Sequence, residues 1–525
     1  MIFKNGLLIP AAVSRRSLLK GAAATSAGLL AATAFPGMSF AQAAPKRGGH
    51  LILGLDTASS SDRIDPATYT EAYMYNVGFQ MFNTLVEMGE GGKLEPSLAE
   101  SWEPTKPDAS EWRFKLRKGV QFHNGKELDA KDVLYSINHH RGEDSKSGAK
   151  GQLTSIIEMR ETAPMEITFT LSGGDADFPY TLTDVHLGIT HDGADFDKGI
   201  GTGAFVLEDF QPGVRALTKR FENHWNPERG LVDSVETIGM NDATARVSAL
   251  MSGRAHIINR LDPKASERLA SMAQIRIHKT EANTIYCFPM RCDTAPFDNV
   301  DLRQSLKHAI DREMILKNGY GGYGVIGNDT LIAPWNPYYS ADVPKNDYDP
   351  DKARSLMKKS GYSGPIEIAV SDNGFPGSVG AAQLFQVAAK KADIDLVINR
   401  VPSDGYWEDT WMKKAFCASN WAVRPTADAM LSMTLHSKAP WNETYFKNAD
   451  FDKKLEAARA ELDQTKRKAL YHDLQVIQAE QGGYLVPIFV DQLLASAANV
   501  EGIVNIPGGG DLSGNRVAEK VWFNT

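Results

Sequence analysis

One stretch limits the folds open to this chain more than any other: residues 98–136, LAESWEPTKPDASEWRFKLRKGVQFHNGKELDAKDVLYS. Trp112, Phe114 and Leu116 alternate with Arg113, Lys115 and Arg117, the period-2 pattern of a half-buried strand. His123-Asn124-Gly125-Lys126 is turn chemistry. Asp129 stands where a helix N-cap belongs, Asp132 follows three residues on, and Val133, Leu134 and Ile137 begin an apolar stripe. A strand feeding a capped helix through a tight turn calls for a mixed α/β fold.

Elsewhere the chain alternates both periods. Gly48–Leu55, Glu166–Leu171, Ile275–Phe288 and Tyr484–Phe489 read as strands, and Ile366–Val370 and Ile394–Val401 flank a helix between Gly380 and Lys391 in a βαβ-like unit. Asn241–Gly253 is a helix with Asp242 at its start and Gly253 just past its end. Leu302, Leu306, Ala309 and Ile310 share a helical face that is expected to continue through Ala309-Ile310-Asp311-Arg312-Glu313. Asp349-Pro350 opens a helix that ends at Gly361, and Thr465 is expected to cap the one carrying Leu470, Leu474 and Ile477. With 525 residues the chain has length for several domains.

Residues 14–20, SRRSLLK, carry a twin arginine ahead of a Gly/Ala/Leu-rich run, and Ala41 and Ala43 offer an A-x-A cleavage site. The segment resembles a bacterial Tat export signal, cleaved near Ala43, which implies a periplasmic protein. Residues 1–43 hold four basic residues and no acidic one, so their removal makes the formal charge of −8 more negative still. An acidic chain without a basic block is a poor partner for nucleic acid or anionic membrane. Beyond the signal no apolar run is long enough to span a bilayer. Cys287, Cys292 and Cys417 are the three cysteines, expected as separate unpaired thiols.

The phrase AESWEP…W-F-LRKGV-FH-GK-L-A-DV-YS resembles a signature of solute-binding family 5, whose members serve peptide-type ABC importers. Further phrases agree in order: Gly201-Thr202-Gly203-Ala204-Phe205, Arg246-x-x-Ala249-Leu250-x-x-Gly253, PFDNVDLRQSL from Pro296, and YDPDKARSLMKKSGY from Tyr348. The resemblance implies an α/β, two-lobed periplasmic binding protein (type II-like, cluster C) with an extra domain inserted in lobe I. Lobe I is then expected at 44–95, 199–295 and 482–525, the insert at 96–198 and lobe II at 296–481. It implies a monomer that closes on a peptide or peptide-like solute and presents it to ABC permease and ATPase subunits, with no cofactor and no catalysis. A carrier of a non-peptide anionic solute or metal chelate is the alternative on the same scaffold. No G-x-S-x-G, H-E-x-x-H or P-loop motif supports an enzyme, and His139-His140 reads as a solvated turn.

In peptide-binding members an Asp after the G-W-x-G phrase holds the ligand's α-amino group. Laid on that phrase, Asn420-Trp421-Ala422-Val423-Arg424 puts Arg424 at the Asp position, with Asp428 four residues on as a possible substitute. Arg291 stands where relatives have Asn. A guanidinium repels an ammonium and suits a carboxylate or phosphate, so two such arginines point to an anionic solute or one without a free amine. Aromatic candidates for ligand contact are Trp421, Trp407, Tyr406 and Trp441 with Asn442, and, from the Tyr cluster after the Ser-rich loop, Tyr69 and Tyr73.

Overall fold

The computed structural model describes residues 45–524. The export signal expected at 1–43 lies outside the described residues. In chain order the elements that matter here begin with β1 (His50–Leu55), α1 (Ala72–Met81), β2 (Ala99–Pro104), β3 (Glu111–Leu116), α2 (Ala130–His139), β4 (Ile156–Ala163) and β5 (Glu166–Leu171). Then come β6 (Phe205–Gln211), β7 (Arg215–Arg220), β8 (Ser234–Gly239), α3 (Ala243–Met251), β9 (Ile257–Ile258) and β10 (Ile275–Pro289). They continue with α4 (Val300–Ala309), α5 (Arg312–Tyr320), β11 (Gly324–Ile326), α6 (Pro350–Ser360), β12 (Ile366–Val370), α7 (Ser378–Lys390) and β13 (Leu396–Arg400). The last are β14 (Ser419–Ala422), α8 (Ala427–Thr434), α9 (Ala449–Ala460), α10 (Gln464–Gln481) and β15 (Tyr484–Ala497).

A mixed nine-stranded sheet runs β14-β10-β15-β9-β1-β8-β7-β6, with β11 also paired to β15. Its two long strands, β10 and β15, join two lobes. At one end Ile275, Leu493 and Ala495 pack in a core that includes α3, while β1, α1 and β8 form a second cluster of the same lobe. At the other end Ile285, Phe288, Leu485 and Phe489 enter the cores built by α4 to α10. Between the ends the register breaks from Thr280 to Thr284. There Ala282 takes φ +46°, a backbone conformation that costs a non-glycine residue energy, and its N–H donates to Asp491 Oδ1 at 2.9 Å.

A separate antiparallel sheet, β2-β3-β5-β4, carries α2 on a core of its own. Phe114 lies at its centre, fully buried, with ring centroids of Phe169 and Phe178 at 5.4 and 6.1 Å. Asp129 caps α2 as expected, closing a reciprocal capping box with Asp132. Gly201 and Gly203 thread past the end of α1; a Cβ on either would stand 2.1 or 2.4 Å from a backbone oxygen of Met81 or Gln80.

Three local expectations change. The helix from Val300 stops at Ala309, because Ile310 is extended and Asp311 caps a new helix, α5, by accepting from Met314 N–H. Asp463, not Thr465, caps α10, its carboxylate accepting from the N–H groups of Thr465 and Lys466. His139 and His140 are no solvated turn: His139 pairs with Asp65 and stacks on Phe196 at 4.0 Å, and His140 is buried against Ser147 Oγ.

Candidate functional site: the cleft between the lobes

β14 ends the large sheet, pairing β10 with Trp421 opposite Ile285. Trp421 turns into the lobe, where its Nε1–H donates to Glu443 Oε1 at 2.7 Å; Trp411 donates to the other oxygen of the same carboxylate. Burial pushes the Glu443 carboxyl above its ordinary range, and the indole donors pull against it. Rings continue outward on both sides: Trp407 lies 5.7 Å from Trp411 and Trp441 lies 6.0 Å from Trp421, each about two-fifths exposed.

Three residues past Trp421 the chain brings Arg424 to the gap between the lobes. It is half-buried, and among the described residues its hydrogen-bonding contact is Nη2 to the Met433 sulfur, at 3.7 Å. Among the described residues no carboxylate lies within the 4.0 Å of an ion pair. Burial pulls the guanidinium below its ordinary value, against the opposing charge of Asp184. Tyr75 projects from α1 in the first lobe, and burial pushes its hydroxyl up to about 12. Next to this point the Trp335 ring is wedged between loops: it is 3.5 Å from where a Gly92 Cβ would stand and 2.6 Å from a Gly508 Cβ, with Nε1–H on the carbonyl of Ala282.

A second contact across the gap has the opposite character. Arg467 of α10 is 2% exposed and grips Asp177 bidentately at 2.7 and 2.6 Å. Its Nε donates to Ala458 O, Nη1 also reaches Tyr338 Oη, and the guanidinium lies over the rings of Tyr338 and Tyr471. Beside it, Ala176 N–H donates to Arg459 O.

The expected ligand residues fall into distinct groups. Asp428 is already occupied: its carboxylate accepts from Arg459 Nε at 3.0 and 3.1 Å and from Ser432. It is therefore not poised for an ammonium. Arg291 is also satisfied, forked onto Asp293 at 3.0 and 3.1 Å and lying 4.0 Å from the Tyr445 ring centre, so the two arginines do not form one subsite. Tyr69 and Tyr73 are core residues, their hydroxyls donating to the carbonyls of Ile64 and Thr237. Tyr406 is buried with its hydroxyl on Ala418 O, and Asn442 builds a corner through Phe446 and Thr444. Arg424 and the tryptophans remain. Residues that the sequence did not single out bear on Arg424: Met433 touches it, and Tyr75 and Asp184 act on its charge. Tyr75 had a signal: two residues from Tyr73 on a helix, it must face the other way.

The sequence model of the bacterial extracellular solute-binding proteins, family 5 (middle region), matches residues 93–442. The chain belongs to this family. Over 87% of its length it is 28% identical to heme-binding protein A of Haemophilus influenzae, covering 90% of that protein. It is 25% identical to the dipeptide-binding protein of Escherichia coli, over 81% of this chain and 87% of that one. The periplasmic binding protein DppA of Helicobacter pylori, solved with the peptide STSA, superposes with a TM-score of 0.73 at 24% identity, over 91% of this chain and 99% of its own. The fold is the two-lobed, type II-like binding fold, and the solute-binding protein is a substrate-binding component of an ABC importer. Among the described residues no helix is long and apolar enough to cross a membrane.

Proposed function

We propose that this solute-binding protein is exported by a Tat-type signal, works as a periplasmic monomer, and delivers a peptide-like solute that presents an anionic group to Arg424. One observation carries the reading: the guanidinium at the amine-binding position is half-buried and, among the described residues, has no carboxylate within ion-pair distance. A desolvated cation in a water-poor gap favours an incoming carboxylate or phosphate, and charge-assisted bonds there are among the stronger ones. The acid that would hold a free amine, Asp428, is committed to Arg459. Relatives named for heme and for dipeptides indicate that this scaffold is re-aimed between members.

Closure is the step that assembles the site, since Arg424 and Tyr75 come from different lobes. The division we infer is lobe I at 44–95, 199–295 and 482–525, the insert at 96–198 and lobe II at 296–481. The bend itself falls inside the crossing strands, at 280–284 and its partner segment, where the register breaks. The closed form is what a permease with its ATPase would dock.

A thermal-shift screen tests the reading with free-amine peptide amides, N-blocked and acidic peptides, and metal chelates. Ligand at about 100 Kd adds roughly 2.7 kcal/mol of stability. Shifts confined to anionic or amine-blocked compounds are expected; shifts by ordinary free-amine peptide amides would overturn it.

A further inference from the structure

The hinge at 280–284 is tied on one side to the segment that carries Arg424 and on the other to a glycine loop of lobe I. Asn283, 4% exposed, is the knot. Its carbonyl accepts from the N–H of Val423, the residue before Arg424, at 3.1 Å. Its Oδ1 accepts from the Gly508 N–H at 2.8 Å, and its Nδ2 donates to Gln492 Oε1 on β15 at 2.7 Å. The preceding carbonyl, of Ala282, takes the Trp335 Nε1–H at 3.2 Å, and the Trp335 ring packs on the lobe II core. Gly508 then meets lobe II directly. A Cβ there would stand 2.6 Å from the indole and 3.3 Å from Cα of Pro425, the residue after Arg424. No side chain fits at 508 while the ring lies there.

We propose that Gly508 and Trp335 are positioning residues for solute capture: the indole seats on the bare backbone of Gly508 as the lobes close, and that seat sets the 423–425 segment, and Arg424 with it, against lobe I. The inference rests on the hinge and lobe division read above and deepens the closure step; it does not depend on the charge of the solute.

Each partner is held so that the contact does not simply give way. Swinging the Trp335 ring aside would cost its bond to the Ala282 carbonyl. A second glycine of lobe I, Gly92, also bounds the ring, which lies 3.5 Å from where its Cβ would stand. Gly508 is anchored by Asn283 Oδ1, and the next N–H, of Gly509, turns back onto Ile506 O at 3.1 Å. The ring of Pro425 fixes its own φ, so the chain leaving Arg424 is stiff. Arg424 is thus flanked by the hinge bond of Val423 and by the Gly508 contact of Pro425. Close-packed groups move between discrete arrangements rather than deform, and a misfit of one methyl beside a hinge is magnified along the lobes into an open gap.

Three variants of the full chain test this by X-ray scattering: Gly508→Ala, Trp335→Leu and the two combined. Gly508→Ala should give the largest radius of gyration, because its methyl fills the seat. Trp335→Leu should expand the protein less, and the double variant should fall back to the Trp335→Leu value, since the clash is gone. A wild-type radius in Gly508→Ala overturns the proposal. So does a double variant as expanded as Gly508→Ala, which would put the defect in the backbone of residue 508, at φ +79°, rather than against the ring. If Gly508→Ala does not fold, Trp335→Leu decides alone, and a wild-type radius there overturns the proposal. In calorimetry, Gly508→Ala should lose at least about tenfold in affinity for N-acetyl-Ala-Ala with Arg424 untouched, and the double variant should recover to the level of Trp335→Leu. If N-acetyl-Ala-Ala does not bind the wild type, the Arg424 reading fails, while the scattering series still decides the Gly508–Trp335 seat.

Discussion

Two arginines of the second lobe reach the gap, and they meet it in opposite states. Arg467 has a bidentate carboxylate, a carbonyl, a phenol and two aromatic rings around it. Arg424 has a thioether at 3.7 Å. Arg467 is out of water and Arg424 half-buried, so a desolvation cost is offset at the first and a smaller one left standing at the second. A protein keeps such an unmet cation where something else is to meet it. On this account Arg467 holds the lobes together and Arg424 receives what they close upon.

The comparison breaks most readily on stability. Arg467→Met leaves Asp177 buried without a counter-charge, which costs about 3–5 kcal/mol. Because opening rehydrates Asp177, part of that cost should appear as a larger radius of gyration in X-ray scattering, and the rest as a lower urea midpoint. Arg424→Met removes an unpaired cation and is expected to leave stability unchanged or raised. The reverse ranking would end the distinction between the two arginines. The double variant Arg467→Met/Asp177→Asn should recover much of the loss, as coupled partners do.

Ligand binding sharpens the same contrast. Arg424→Gln should cost a carboxylate-bearing ligand about 1.5–3 kcal/mol, the range of a hydrogen bond to a charged group. Arg467→Gln should weaken charged and neutral ligands alike, since it acts through closure. Calorimetry with N-acetyl-Ala-Ala and its amide separates the two patterns.

The pH dependence of the Arg467 interface comes next. Asp175, next to Asp177, is pushed up to about 7 by burial and by the charges of Asp428 and Asp177. A carboxyl with a raised folded pKa stabilises fully below its unfolded value near 3.9, and that contribution is lost as pH rises through about 7. Asp175→Asn should therefore gain on the wild type in thermal stability from about pH 5 to pH 8, and a constant difference would contradict the sign.

How far the sequence reached follows from the range of the forces involved. Periodicity and caps are local, so α2 with its Asp129–Asp132 box, α3 with Asp242 and Gly253, and the parallel β12–α7–β13 unit were all legible. The phrase around Trp112 identified the family, and the G-W-x-G position singled out Arg424. Charge partners were not legible. Asp428 is taken by Arg459, 31 residues on, and Arg467 meets Asp177 from 290 residues away, with no pattern connecting either pair. Aromatic type is equally mute about side: of the three neighbouring tyrosines, Tyr69 and Tyr73 went to the core and Tyr75 to the gap.

That last division gives the smallest prediction. Tyr69→Phe and Tyr73→Phe each remove one buried hydroxyl–carbonyl bond, for about 1 kcal/mol of stability. Neither should change ligand affinity, whereas Tyr75→Phe, beside Arg424, should. Equal effects on affinity would return the first two to the site.

The central claim is that Arg424 selects an anion, and opposed probes test it most directly. N-acetyl-Ala-Ala offers a carboxylate and no amine; Ala-Ala-amide offers an amine and no carboxylate. Titrated calorimetrically into the wild type at pH 6, the first should bind at least about tenfold more tightly, and the preference should disappear in Arg424→Gln. Preferred binding of Ala-Ala-amide, unchanged in that variant, would mean that an acid in the gap captures an ammonium and that Arg424 does not select the solute.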